Sequence, residues 1–223
     1  MARFSQPGAA GGLAALRRFI ADPPAAERCD FCGALLPEEH DHVVASGREP
    51  PGEKSAGTRL PIRCVCRACA MLFGSSGETK YRRAPRVVRY LADFQLTDAQ
   101  WAALMLPVAM VFFVRSSLSG KAAAFYPSPG GATETFLDPE SWQAMVSANP
   151  VLDRMQPDVE ALLVNRVQGA RDHFIAPIDE CYRLTGLIRR RWRGFSGGEQ
   201  AWNEIAAFFA DLKQRAAGPR VYA

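Results

Sequence analysis

The spacing of apolar positions changes repeatedly along the chain, and each change marks an element. Leu13, Leu16 and Ile20 recur at helical spacing, which predicts a short amphipathic helix over 12–21 ended by Asp22-Pro-Pro. β-rich runs follow at 42–45, 60–65, 86–91, 108–114, 122–126, 159–164 and 173–176. Thr97-Asp-Ala-Gln100 is a capping box and opens a helix between two of them. Asp138-Pro139 caps another helix, which carries Trp142 and Met145. Two amphipathic helices end the chain. Asp179 is read as the cap of the first, with Cys181, Leu184, Ile188 and Trp192 on one face; Ser196-Gly-Gly-Glu199 is read as a capping box for the second, with Trp202, Ile205, Phe209 and Leu212. Gly/Pro/Ser-rich stretches at 47–57, 74–77 and 127–131 read as loops and turns. The pattern predicts an α+β fold, a mainly antiparallel sheet covered by helices.

The longest apolar run, 101–114, contains Pro107 and is too short for a membrane span, so it is assigned to the core and no membrane insertion is expected. Arg17 and Arg18 interrupt what would be the apolar part of an export signal, so a cytoplasmic location is expected. Of 223 residues, 48% are hydrophobic and 22% charged, the composition of an ordinary globular chain. A net charge of +4 is too small to argue for nucleic acid by itself. Lysine occurs only at 54, 80, 121 and 213, so the chain's basic residues are mostly arginine, a bias that weakens any reading of arginine clusters as a binding surface.

Cysteine usage changes the picture most. Five of six cysteines lie between positions 29 and 69, as Cys29-Asp-Phe-Cys32-Gly and Cys64-Val-Cys66-Arg-Ala-Cys69. Two Cys-x-x-Cys pairs at this separation can close four thiolates around one tetrahedral ion, and in a reducing compartment metal is favoured over disulfides. Cys29, Cys32, Cys66 and Cys69 are the expected ligands of a structural Zn2+, with iron as the alternative. Cys64 and His40 are candidate additional or substitute ligands, and His42 is a third residue close enough in sequence. Gly33 supplies the backbone freedom of a tight knuckle. A knuckle, a hairpin and a helix whose first turn carries the last ligands is the treble-clef order. A zinc ribbon with two knuckles is the rival, and it is disfavoured because Cys69-Ala-Met-Leu-Phe73 lacks the glycine that usually follows a second knuckle. The expected organisation is an N-terminal helix and linker over 1–27, a metal module over 28–76, an α+β domain over 77–217 and a tail over 218–223.

Other chemistry is sparser. Cys181 near a helix start is a candidate activated thiol, read instead as a packing cysteine. Asp158-Val-Glu160 would put two carboxylates on one face of a strand, read as a charged edge. Arg189-Arg-Arg-Trp-Arg193 is the densest basic run, read as a solvated helix face. No P-loop, dinucleotide fingerprint, His-Glu-x-x-His or nucleophile elbow is present. No catalytic residue is assigned.

Several segments together carry a family resemblance: Cys29-Asp-Phe-Cys-Gly-Ala, Glu39-His-Asp-His42, 64–73, Tyr126-Pro-Ser-Pro-Gly-Gly-Ala-Thr133, 157–166, Pro177-Ile-Asp-Glu-Cys-Tyr182, Gly186-Leu-Ile-Arg189 and 192–198. With these the chain resembles an uncharacterised bacterial family whose members are often encoded beside nickel-iron hydrogenase genes, notably in actinobacteria. The family pattern includes the five clustered cysteines, a histidine matching His40 and a cysteine matching Cys181. The resemblance implies a non-enzymatic accessory protein for hydrogenase assembly, maturation or stabilisation, with a hydrogenase subunit or another accessory protein as partner. A rubredoxin-like iron electron carrier or oxygen-protection partner, and a nucleic-acid-binding zinc protein, are the alternatives.

Overall fold

The computed structural model describes residues 27–45, 62–74 and 80–217. The helix expected over 12–21, the loop over 47–57 and the tail from 218 lie outside the described residues.

The main body is a six-stranded antiparallel sheet. Its strands are Arg89–Tyr90 (β4), Met110–Arg115 (β5), Ala122–Ser128 (β6), Gly131–Thr135 (β7), Glu160–Asn165 (β8) and Asp172–Pro177 (β9), in the order β4-β9-β8-β5-β6-β7. The central strands read as unbroken apolar runs because both faces of the sheet are covered. Met110, Phe112, Val114, Leu163 and Phe174 face the helices Ile178–Arg191 (α4) and Glu199–Ala217 (α5). Val111, Phe113, Leu162, Val164 and Ile175 face the opposite layer. There Leu96 and Leu104 flank Asp98–Ala103 (α2), while Met145 comes from Pro139–Ala148 (α3). A helix–sheet–helix sandwich results, with large aliphatic and aromatic side chains filling both interlayers.

Local signals set several boundaries. At α2 the box forms as read: Thr97 Oγ1 accepts the Gln100 N–H and Gln100 Oε1 accepts the Thr97 N–H. At α3 Asp138 accepts from Ser141 N–H, with Pro139 at the first position. Two readings are corrected. Asp179 lies inside the first turn of α4, with Pro177 as the cap residue, because the strand β9 runs directly into the helix. Ser196 lies outside α5, in a turn bridged by Arg193 and Gly197. The Gly198 carbonyl accepts the Trp202 N–H and begins that helix. Gly197 sits at φ +86°, and a Cβ there would lie 2.9 Å from the Trp192 ring.

Ahead of this body lies a smaller unit. Asp41–Ala45 (β1) pairs antiparallel with Ile62–Val65 (β2) and with Tyr81–Arg83 (β3), and Arg67–Gly74 (α1) follows β2. Neither β3 nor β7 is foreseen from the apolar pattern; β7 begins at Gly131, inside the segment read as a turn. The two faces of β1 diverge. Val43 and Val65 join Cys29, Cys69 and Ala70 in the small unit's own core, whereas Val44 and Ile62 pack into the main core.

Asp41 secures this junction. Its buried carboxylate Oδ1 accepts from Arg83 (Nη2 2.8 Å) and Arg86 (Nη2 2.9 Å), linking β1 to β3 and the chain beyond it. Burial alone would raise this carboxyl, but the two guanidinium groups outweigh it and hold it below the usual range.

Candidate metal centre

Cysteine spacing becomes geometry through a knuckle and a helix start. Cys29 N–H donates to Ala34 O at 2.8 Å and Gly33 N–H to Cys29 O at 2.9 Å, with Gly33 at φ +73°. Asp30 docks the knuckle on β2: its N–H donates to Cys64 O at 2.9 Å, and its Oδ2 accepts the Cys64 N–H at 3.0 Å. Cys66 lies just past the end of β2, and Cys69 falls in the first turn of α1. Knuckle, hairpin and helix follow in the treble-clef order, with no second knuckle.

The sulfurs of Cys29, Cys32, Cys66 and Cys69 all lie within 4.8 Å of one another, and Cys32 and Cys66 are 3.7 Å apart. A tetrahedral ion with bonds of about 2.3 Å to sulfur sets its ligands about 3.8 Å apart. The donor set therefore fits one metal ion. None of the six cysteines is paired in a disulfide.

Electrostatics point the same way. Burial pushes the Cys29 thiol up, but N–H groups of Cys66, Cys32 and Phe31 directed at its sulfur bring it down to about 6. Burial and the three neighbouring sulfurs push Cys69 up to about 12. The Ala34 N–H favours the Cys32 thiolate, yet the adjoining thiols leave its proton held more tightly than usual. The first proton leaves this cluster readily and the last is retained, because thiolates in one small volume repel. A cation at the centre removes that conflict.

Cys64 and His40 are not brought into this set. The structure places them with His42 in a second group, whose ligand atoms also lie within 4.8 Å of one another. His42 lies on β1 and His40 just ahead of that strand, and Cys64 is the residue paired directly opposite His42. The His40 and His42 rings lie tilted at 52° to one another, with centroids 4.7 Å apart. Asp179, from the first turn of α4, accepts from His42 Nδ1 at 2.8 Å. Each histidine is visible in the sequence as a candidate ligand, and their two-residue spacing at the start of a strand is the signal that they meet. The partner across 137 residues has no local signal.

The remaining candidates do not assemble a site. Cys181 is fully buried among the main-core residues, and burial pushes its thiol well above the ordinary value. Asp158 precedes β8 at φ +68° and accepts from Ser117 N–H. Glu160 instead takes Arg89 and the Gln156 N–H, so the two carboxylates serve different partners and the shared strand face is corrected. Arg189, Arg190 and Arg191 are exposed at the end of α4, Arg191 pairing with Glu204, while Trp192 turns inward against Trp202. No helix among the described residues is long and apolar enough to cross a membrane.

No curated protein and no solved structure matches the chain. A family model described as a family of unknown function (DUF5947) matches residues 28–216. That span takes in the knuckle, both sheets and nearly all of the last helix, and the chain belongs to this family.

Proposed function

We propose that this protein is a non-enzymatic accessory factor, braced by a Zn2+ ion on Cys29, Cys32, Cys66 and Cys69, that serves the assembly, maturation or stabilisation of a nickel-iron hydrogenase. The convergence of four sulfurs carries the structural half of this reading. A cage of four thiolates leaves no open coordination position, so its ion holds the knuckle, hairpin and helix together and takes no substrate. The hydrogenase half rests on the motif resemblance described above.

The finger also presents apolar surface suited to a protein partner. Leu35 beside the knuckle and Met71, Leu72 and Phe73 on α1 are exposed, Leu72 at 72%. A hydrogenase subunit or a second accessory protein is the expected occupant.

Two measurements test the halves separately. Elemental analysis of the purified protein should find zinc, lost from the cage in Cys66→Ser; a coloured iron protein would replace the brace with an electron carrier. A tagged copy should retain a hydrogenase subunit or maturation factor from cells that make the enzyme. No association, together with normal hydrogenase activity after deletion, would remove the accessory role.

A further inference from the structure

The His40–His42–Cys64 group lies on the opposite face of the β1–β2 hairpin from the four-cysteine cage. Val43 and Val65 point to the cage side and pack with Cys29 and Cys69. Val44 and Ile62, which share a face with His42 and Cys64, pack into the main core. The group is therefore a feature of the seam between finger and main body, closed on the far side by α4.

Each imidazole is set to offer the same nitrogen. The Pro37 carbonyl, 3.0 Å from His40 Nδ1, can only accept, so that nitrogen carries the hydrogen and neutral His40 presents a lone pair on Nε2. The Asp179 carboxylate does the same for His42 at 2.8 Å. A carbonyl or carboxylate behind one ring nitrogen is the arrangement that orients metal-ligating histidines.

His40 supplies the second observation. Its side chain is only 7% exposed, and its Nε2 is buried with no hydrogen-bond partner among the described residues. The exposed Glu27 carboxylate comes no nearer than 3.5 Å and does not make that bond. A buried nitrogen without a hydrogen bond, on a side chain grouped within 4.8 Å of a thiol and a second imidazole, lacks an electrophile.

We propose that His40, His42 and Cys64 form a second metal site, separate from the cage, that binds a borderline first-row divalent ion such as Zn2+ or Co2+. Two imidazoles and one thiolate suit that class of ion, and three protein ligands leave a coordination position open for water or an incoming donor. Asp179 is a positioning residue that fixes the His42 ring. This site shares no ligand with the cage, and Cys64→Ser and His42→Ala remove it while leaving the cage's four sulfurs in place.

Cys64, His42 and Asp179 alone would also be the order of a nucleophile, a base and its orienting carboxylate. That reading leaves His40 without a role, and the experiment separates the two. The full-length protein as purified is titrated with Co2+ and then Zn2+, and bound metal is counted after desalting. About one equivalent beyond that of the cage is expected, with a Co2+ spectrum distinct from that of a four-sulfur site. Cys64→Ser and His42→Ala should lose this equivalent and keep the cage's. Asp179→Asn should weaken the second site about 10–100-fold. Should a variant fail to fold, the unmodified protein still decides. Saturating Zn2+ should slow iodoacetamide alkylation of Cys64, mapped by peptide mass spectrometry, about tenfold or more. A wild-type protein that takes up no second equivalent, or a Cys64 that alkylates at one rate with and without Zn2+, overturns the proposal.

Discussion

Replacing Cys66 by serine should unfold the finger and leave the six-stranded body intact. The finger's own core consists of Val43, Val65 and Ala70 with Cys29 and Cys69. Burying each valine contributes about 1.5–3 kcal/mol, so the apolar share is about 3–6 kcal/mol. The proposed structural Zn2+ would supply on the order of 10 kcal/mol and outweigh that core. The main body has two far larger clusters, built around Phe112, Leu163 and Phe174 on one face and Phe113, Leu162 and Ile175 on the other. Hydrogen exchange read by mass spectrometry gives the test. In Cys66→Ser the amides of Cys29, Gly33 and Ala70, which bond to Ala34, Cys29 and Cys66 carbonyls, should lose their protection. Amides of β5, β8 and β9 should exchange as in the wild type. The β1–β3 pairing should show an intermediate loss, since Val44 is anchored in the main core. Unchanged protection of the three finger amides would refute the reasoning, as would joint loss in β5 and β8.

Three further outcomes follow from the same geometry. Asp41→Asn should cost about 2–4 kcal/mol in urea unfolding, because one buried carboxylate oxygen receives two guanidinium groups. Since the folded carboxyl sits below its unfolded value, its contribution is present above about pH 4 and lost as pH falls through the folded value. The wild type should accordingly lose its advantage over Asp41→Asn on strong acidification. His173 is buried and stacks on Phe94; burial first, then Arg166 and Arg171 against the opposing pull of Asp172, hold it down at about 4. The unfolded chain takes up that proton from about pH 6.5 downward, so stability should fall between about pH 6.5 and 4 by up to about 2 kcal/mol after solvent screening. His173→Gln should flatten that limb of a urea-midpoint series. Cys181→Ser places a hydroxyl in an apolar interior and should cost about 1–3 kcal/mol in the same assay, with metal content unchanged; metal lost along with Cys181 would contradict its packing role.

Local chemistry was legible in the sequence. The capping box at Thr97 and the Asp138-Pro139 cap are read correctly because each is completed by residues within three positions. The central strands are legible as apolar runs, since burial on both faces leaves no polar alternation to confuse them. The short edge strands β3 and β7 are not, because partly exposed edges carry no such pattern: Tyr81-Arg-Arg and Gly131-Ala-Thr-Glu-Thr owe their conformation to the strands beside them. Asp179 follows the same logic. A carboxylate near a helix start reads as a cap, yet its oxygen is taken by a histidine from another strand.

The spacing of Cys29, Cys32, Cys66 and Cys69 determined by itself that four sulfurs could meet, since a knuckle and a helical turn each place residues three apart on one side. Tertiary structure decided that Cys64 stands apart from them. It lies on a strand whose alternation turns it to the other face, and only the register of His42 against Cys64 and the docking of α4 bring two histidines, a thiol and Asp179 together. Neighbours along the chain constrain one another through bond geometry. Groups far apart in sequence meet only where burial of the intervening apolar surface holds them, and that is a property of the whole fold.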